Sequence, residues 1–359
     1  MFDEILLSYG LDASDYKIEA FGSGLINKTY KLTINEEDYI LQQINTDVFK
    51  RPEDIVNNLK LIEEFIKENN PDYLFVAPLP SPSGNFVVKS QSAKYYRLFP
   101  FVAGSHSVDT LESEKEALEA AKQFGRFTYL LRDFNVGLLE YPLQQFHDLS
   151  LRFDQFKSAT KNAEALRLDQ AKTEINEVYL HQQIVETYNG LVADKEIPIR
   201  VIHHDTKISN VLFNDDKKAL CLVDLDTVMP GYYLSDVGDM MRTYLSPAGE
   251  EETDLSKIHV RVDFFEAIYH GYFSEMGGIL TSKEKQHFIY AGKFMIYMQG
   301  LRFLTDFLNN DVYYGAKYPD HNLIRARNQF KLLNDYIHAE PLFDKIINNQ
   351  LAYEPVDQK

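Results

Sequence analysis

The apolar residues of this chain change their period once, and that change limits the folds open to it. Up to Phe99 they mostly alternate, whereas beyond Gly104 they recur at helical spacing. Residues 16–20, 30–34 and 39–41 read as strands, and the Gly84-Asn85 turn predicts a hairpin from 86–88 to 94–99. A short helix over 3–10 precedes them. One long helix over 47–69 interrupts them, with Pro52 near its start and Ile55, Leu59, Ile62, Phe65 and Ile66 at helical spacing. Pro100 cannot donate to a strand ladder and Gly104 frees the chain, so a boundary is expected here. Residues 1–101 should form a small antiparallel sheet with one helix packed on it, and the hinge should lie at about 96–104. Residues 102–359 should form a larger helical part, with helices over 111–134, 148–162, 168–188, 256–274, 283–308 and 321–338. The expected fold class is α+β in two lobes, with ligands bound in the cleft between them.

Charge narrows the partners. Lys and Arg number 37 against 54 Asp and Glu, a net charge of −17. Such a surface argues against non-specific nucleic-acid or anionic-membrane binding, both of which need basic patches. No obligate protein partner is evident. The single cysteine, Cys221, excludes an internal disulfide and lies in the apolar run 219–223, so a buried thiol is expected. The start, Met1-Phe2-Asp3-Glu4, carries no export-signal pattern, and no apolar stretch reaches the roughly 18 residues needed to span a bilayer. A cytoplasmic location fits these features.

The chemistry-bearing stretch is Val201-Ile202-His203-His204-Asp205-Thr206-Lys207-Ile208-Ser209-Asn210, followed by Asp224-Leu225-Asp226. Residues 209–213 and 219–224 should form a hairpin about a turn at 214–217, which sets Asn210 beside Asp224. Two oxygen ligands on adjacent strand ends suit Mg²⁺, which takes few carboxylates and keeps water and phosphate in its other positions. Asp205 faces the same cleft. Phosphoryl transfer needs this set: a carboxylate to accept the proton of the attacking hydroxyl, and an Asn and an Asp to hold the metal. Singly, Asp205 could cap a turn, Asn210 satisfy loop backbone and Asp224 be an ordinary strand-end carboxylate. Together, at Asp-x-x-x-x-Asn spacing, they favour chemistry. His203 and His204, adjacent on a strand, point opposite ways and cannot easily share one ion, so His203 should brace the loop. Asp236 and Asp239 should either cap the next helix or reach back to the loop backbone. Near the start, Gly22-Ser23-Gly24 joins two strands and could lay amides over phosphates, although an ordinary hairpin turn would read the same. No Gly-x-x-x-x-Gly-Lys-Ser/Thr occurs.

The catalytic stretch with Val223-Asp224-Leu225-Asp226 resembles the aminoglycoside phosphotransferase/choline kinase superfamily. Within it, the chain is most similar to the N-acetylhexosamine 1-kinases, through 22–27, 39–45, Asp224-Leu225-Asp226-Thr227-Val228-Met229-Pro230-Gly231 and Gln299-Gly300-Leu301-Arg302-Phe303-Leu304-Thr305-Asp306. The resemblance implies a protein-kinase-like bilobal fold and ATP with Mg²⁺. It also implies a sugar acceptor, phosphorylated on the anomeric hydroxyl of N-acetylglucosamine or N-acetylgalactosamine. Under it, Asp205 is the base, Asn210 and Asp224 hold the metal, and Gly22, Ser23 and Gly24 cover the phosphates. Tyr96, Leu98, Phe99 and Phe101 belong to the hinge that receives adenine. Asn27, Arg302, Tyr313 and Tyr314 contact the acceptor along with Asp205, while His203, Asp226 and Asp236 give support. Asp306, one turn after Arg302, is expected to pair with it. One departure stands out: kinases of this fold carry a lysine where this chain reads Gln42-Gln43, so another cation, such as Lys28 or Lys94, or the metal itself must meet the phosphates. Other readings are a kinase for another hydroxyl (a different sugar, an amino alcohol, an aminoglycoside) and a catalytically silent binding protein. A hydrolase built on His203 and His204 has less behind it, since no further histidine stands at ligand spacing.

Overall fold

The computed structural model describes residues 2–12, 14–22 and 26–351, with side chains through 349. The alternating segments form one five-stranded antiparallel sheet: β1 (Lys17–Ala20), β2 (Lys28–Ile34), β3 (Glu37–Ile44), β4 (Val88–Lys89) and β5 (Tyr95–Pro100), in the order β1-β2-β3-β5-β4. Successive side chains on a strand face opposite ways, so the register sorts them into two faces. The row Tyr30, Leu41 and Leu98 lies on one face, and the row Thr29, Gln42 and Arg97 on the other. On the first face, Leu32, Ile34, Leu41, Tyr96 and Leu98 bury against Ile5, Leu6 and Tyr9 of α1 (Asp3–Ser8) and its end.

The helix that covers this sheet is therefore α1, not the long helix expected from the sequence. That long helix, α2 (Pro52–Asn69), carries Ile55, Leu59, Ile62 and Ile66 into the large core of the helical lobe. Phe65 meets Phe134 edge to face at 5.3 Å. Asn58 fixes the crossing, its amide nitrogen donating to the carbonyls of Glu140 (2.9 Å) and Val228 (3.2 Å). An apolar stripe goes where the most apolar area can be covered, and a short sheet already capped by α1 offers little.

The C-terminal lobe is helical: α3 (Glu114–Leu130), α4 (Leu149–Asn162), α5 (Ala165–Gln170), α6 (Lys172–Leu180), α7 (Gln183–Ala193), α8 (Tyr233–Tyr244), α9 (Val262–Met276), α10 (Ser282–Gln286), α11 (Phe288–Leu308) and α12 (His321–Leu351). The single helix expected over 168–188 is thus divided among α5, α6 and α7. The start of α3 is set by a capping box, in which Glu116 accepts from the Ser113 N–H at 3.0 Å. Two short hairpin-like pairs line the cleft: β6 (Arg200–Ile202) with β9 (Met229–Gly231), and β7 (Val211–Phe213) with β8 (Ala219–Leu222). Cys221 is buried in β8, and burial pushes its thiol up to about 12. Among the described residues, no helix is long and apolar enough to cross a membrane.

Helix α8, which carries Asp236 and Asp239, packs directly on α11. Their approach depends on Gly238, where a β-carbon would sit 2.2 Å from the Ala291 carbonyl oxygen. Gly238→Ala should therefore lower the unfolding free energy by about 1–3 kcal/mol, the usual cost of overpacking a core. Urea denaturation measures this, and unchanged stability would mean that α8 and α11 are not in contact at that point.

Candidate active site

Strand β6 delivers the chain to His203, and α8 then takes hold of it. The Asp236 carboxylate accepts from the backbone N–H groups of His203 (2.9 Å) and His204 (2.7 Å). Asp239, one turn later on the same helix face, accepts from the Thr206 N–H at 2.8 Å. Of the two roles open to these acids from the sequence, the structure has them reaching back to the loop. Burial pushes Asp236 up to about 7, against the opposing pull of its two backbone donors. His204 turns the chain with φ 67°, and burial pushes its imidazole down to about 3. His203 is also held below its ordinary value by burial. Its Nε2 lies 3.1 Å from the Val223 carbonyl, and its Nδ1 accepts from the Asp205 N–H at 3.3 Å. The neutral ring thus ties the loop to the end of β8.

Asp205 is partly exposed, and Lys207 Nζ lies 3.1 Å from its Oδ2. Asn210 is the hub beside it. Its amide nitrogen donates to the Asp205 carbonyl (2.9 Å), and its own carbonyl accepts from the Val223 N–H (2.9 Å). That second bond brings Asn210 next to Asp224, which leaves β8 in the left-handed region at φ 56°. Asp224 keeps solvent-accessible surface but stands among protein atoms at the base of the cleft. Loss of bulk water, then the charges of Asp226 and Asp205, push its carboxyl up to about 7, against the attraction of Lys207 and Arg97. No trio of His, Cys, Asp or Glu side chains among the described residues could hold an ion unaided. The Asn210 amide oxygen and the crowded Asp224 carboxylate do fit Mg²⁺, a hard ion that binds through one or two protein oxygens and completes its shell with water and phosphate.

Asp226 turns the other way and joins the lobes. Arg97 of β5 pairs with its Oδ1, and Asn27 Nδ2 donates to its Oδ2 at 2.7 Å. Asn27 Oδ1 accepts in turn from the Asn45 N–H at 3.0 Å. Both ends of the Asn27 amide are engaged, so the structure puts this residue in the lobe junction rather than beside the acceptor aromatics. In the N-terminal lobe, Gly22 adopts φ 75° with open space around it among the described residues, whereas Ser23 and Gly24 lie outside them. Tyr96 and Leu98 point into the sheet core, so only their backbone is left to meet a base. Arg97 and Phe99 occupy the opposite face, with the guanidinium 5.0 Å from the Phe99 ring centroid. Phe101 lies between Phe21 (6.1 Å) and the Lys31 ammonium (4.5 Å). Lys28 is exposed and shares its register position with Gln43, on the face away from Gln42. Lys94 sits in the turn before β5, its N–H bonded to Ser90 Oγ at 3.1 Å.

The far wall is built from α11 and the loop after it. The Arg302 guanidinium lies over the rings of Phe146 (5.4 Å), Tyr314 (5.4 Å) and Tyr313 (5.9 Å), and donates to Gln299 Oε1 at 3.2 Å. No carboxylate among the described residues forms an ion pair with it. Asp306 does not pair with Arg302 as its spacing suggested. It accepts instead from the Tyr313 (2.8 Å) and Tyr314 (2.9 Å) N–H groups, shaping the loop that carries both rings. Sequence reasoning missed Phe146, His147 and Arg152, which lie just before and on α4 with no motif around them. His147 stacks on Phe146 at 4.3 Å and lies 5.4 Å from the His204 ring, which connects this wall to the loop that carries Asp205. His147 Nδ1 and Arg152 Nε are buried without a partner among the described residues. Burial and the neighbouring His204, Arg302, Arg152 and Arg242 push His147 well below its ordinary value. A charged relay also runs from loop to wall. Asp239 bonds Arg242 (2.9 Å), Arg242 bonds Glu250 (2.8 Å), and Glu250 pairs with Arg325, whose guanidinium lies 5.3 Å from the Tyr314 ring.

The model of the phosphotransferase enzyme family (APH) matches residues 17–261. Among solved structures, an aminoglycoside phosphotransferase from Alicyclobacillus acidocaldarius superposes with a TM-score of 0.65 at 12% identity, over 96% of this chain and 95% of that one. Amicoumacin kinase hAmiN, solved with AMP-PNP, Ca²⁺ and Ami, gives 0.63 at 13% identity, over 93% and 92%. Choline kinase LicA from Streptococcus pneumoniae gives 0.55 at 14% identity, over 93% and 98%. At these identities the likeness shows the fold: an antiparallel-sheet N-terminal lobe on a helical C-terminal lobe.

The loop that carries Asp205 hangs on Asp236. Asp236→Ala leaves two buried N–H groups without an acceptor, at about 1–3 kcal/mol each. The variant should unfold at a free energy lower by about 2–4 kcal/mol in denaturant titration. A loss within about 0.5 kcal/mol, the range of an ordinary surface substitution, would show that the loop is held by something else.

Proposed function

The chain belongs to the phosphotransferase enzyme family, and from that premise we propose that it transfers the γ-phosphate of MgATP to the anomeric hydroxyl of an N-acetylhexosamine, giving the hexosamine 1-phosphate. Asp205 accepts the proton of that hydroxyl as its oxygen attacks in line, with the Lys207 ammonium 3.1 Å from its Oδ2. The Asn210 amide oxygen and Asp224 hold Mg²⁺, which supplies neutralisation of the phosphate charge. Residues 1–101 form the nucleotide lobe, with Gly22, Ser23 and Gly24 over the phosphates and the backbone of 96–101 beside adenine. Residues 102–359 carry the base and the acceptor wall. A cytoplasmic setting suits this use of ATP.

The observation that carries the acceptor class is the charge of the far wall. Arg302, with Arg152 and the buried His147 behind it, faces aromatic rings and an amide rather than a carboxylate. A guanidinium fork and ring faces can bind the hydroxyls and amide carbonyl of a neutral sugar, but they offer no counter-charge to an ammonium group. A second reading, phosphorylation of an amino alcohol or aminoglycoside, draws support from the net charge of −17, which would steer a cation towards the protein. The uncompensated Arg302 at the wall itself outweighs that distant field, which salt screens over about 10 Å.

A panel of acceptors with MgATP separates the two. N-acetylglucosamine or N-acetylgalactosamine should be consumed with a phosphate ester formed at C1; if only cationic acceptors turn over, the sugar assignment is wrong. Asp205→Asn should lower kcat by about 10²–10⁴, the usual worth of a general base, while leaving the fold intact. Arg302→Ala should raise KM for the acceptor roughly tenfold and leave KM for ATP unchanged, since a lost charged hydrogen bond costs about 1.5–3 kcal/mol. Equal shifts in both KM values would remove Arg302 from the acceptor site.

A further inference from the structure

We propose that Arg97 of β5 is a phosphate-binding residue, meeting the nucleotide from the strand next to the one that reads Gln42-Gln43. The cross-strand register sets Arg97 directly opposite Gln42 on the cleft face of the sheet. Gln42 Oε1 accepts from both Arg97 Nε (3.1 Å) and Nη2 (2.8 Å), while Gln42 Nε2 donates to Thr29 Oγ1 at 3.1 Å. Gln42 therefore acts as a bracket, gripping one edge of the guanidinium and fixing its plane. Asp226 takes the same edge through Nη2.

The other edge is unused. Arg97 is only 1% exposed, and its Nη1, with two N–H donors, has no hydrogen-bond partner among the described residues. A guanidinium taken out of water with two idle donors is costly unless a ligand completes it. The ligand must be an oxygen acceptor, and an anionic one is favoured by the charge. Its position follows from the neighbours. Asp226 is two residues beyond Asp224, and the Arg97 charge is felt at the Asp224 carboxyl. The guanidinium is thus paired to a carboxylate two residues from the proposed metal ligand Asp224, on the side from which phosphates would approach. Charge balance points the same way, because Asp205, Asp224 and Asp226 converge here and a polyphosphate adds further negative charge. This inference rests on the site's binding a magnesium nucleotide, and it holds whichever hydroxyl accepts the phosphoryl group.

Calorimetric titration with MgADP and with adenosine tests it, because only one of them carries phosphate. Arg97→Gln should weaken MgADP by tenfold or more while adenosine stays within twofold of wild type, and Arg97→Lys should recover part of the loss. An equal loss for both ligands, or none for MgADP, would make Arg97 a strut between lobes and overturn the proposal. Because Arg97→Gln leaves Asp226 buried without its cation, the double change Arg97→Gln/Asp226→Asn removes both charges together. It should fold and keep the phosphate-selective loss; wild-type MgADP affinity in this variant would also overturn the proposal. If the wild-type protein binds neither ligand, the nucleotide reading of the site falls, and this inference falls with it.

Discussion

The backbone at His204 is the constraint on which the site depends. A side chain at φ 67° costs on the order of 1–3 kcal/mol and persists only where the surroundings over-determine it. Here they do. Asp236 accepts the N–H groups on either side of the bend, Thr227 Oγ1 donates to the His203 carbonyl at 2.7 Å, and His204 Nδ1 lies 3.1 Å from the Thr227 carbonyl. The His204 ring fits only because residue 231 has no β-carbon, which would come within 2.4 Å of Nε2. The turn at His204 is what projects Asp205 into the cleft instead of continuing β6. Asp224 leaves β8 through the same left-handed region, at φ 56°. Both acids of the proposed reaction are thus presented by strained corners, each anchored in the buried helical lobe.

Electrostatics make the cleft incomplete without a cation. Three carboxylates approach one another, and the positive groups beside them are Lys207, at Asp205, and Arg97, at Asp226. Among the described residues Asp224 forms no ion pair, and burial with the charges of Asp226 and Asp205 pushes its carboxyl up to about 7. The arrangement resembles other functional sites in which repulsion is kept because a ligand relieves it. Arg97 shows the converse, a buried cation with the two N–H donors of Nη1 unpartnered among the described residues. The two deficits face one region, and a metal-bound polyphosphate is the kind of ligand that answers both.

Much of this was legible in the sequence, and what was not has a physical explanation. The two-lobe fold followed from the change of period near Gly104, and the adjacency of Asn210 and Asp224 followed from the turn at 214–217. Periodicity says that a helix has an apolar face but not what covers it, so α2 was assigned to the wrong core. The Tyr96–Phe101 strand was read as one hinge without sorting its faces. Alternation by twos sends Tyr96 and Leu98 inward and Arg97 to the other face, but only the register sets Arg97 opposite Gln42. Asp306 illustrates another limit: helical spacing permits a pair with Arg302, but the carboxylate went to two backbone N–H groups that no pattern announces. His147 and Arg152 join the wall only through tertiary packing.

The relay from Asp239 to Arg325 explains how the proposed base on one element keeps register with the proposed acceptor wall on another. Its members are charged and largely buried, so each is costly to expose and has few alternative partners. Thr206 anchors one end to the base-bearing loop, and the Tyr314 ring stands at the other. Asp306 reaches the same ring from the opposite side by fixing its backbone. Tyr314 is therefore positioned relative to Asp205 by charge pairs as well as by core packing, although the two residues are far apart in sequence. For in-line transfer that matters, since displacement of a reactant by about 1 Å can cost on the order of 10² in rate. In the proposed reaction the two strained corners aim the acid groups, and this relay fixes the distance at which the acceptor meets them.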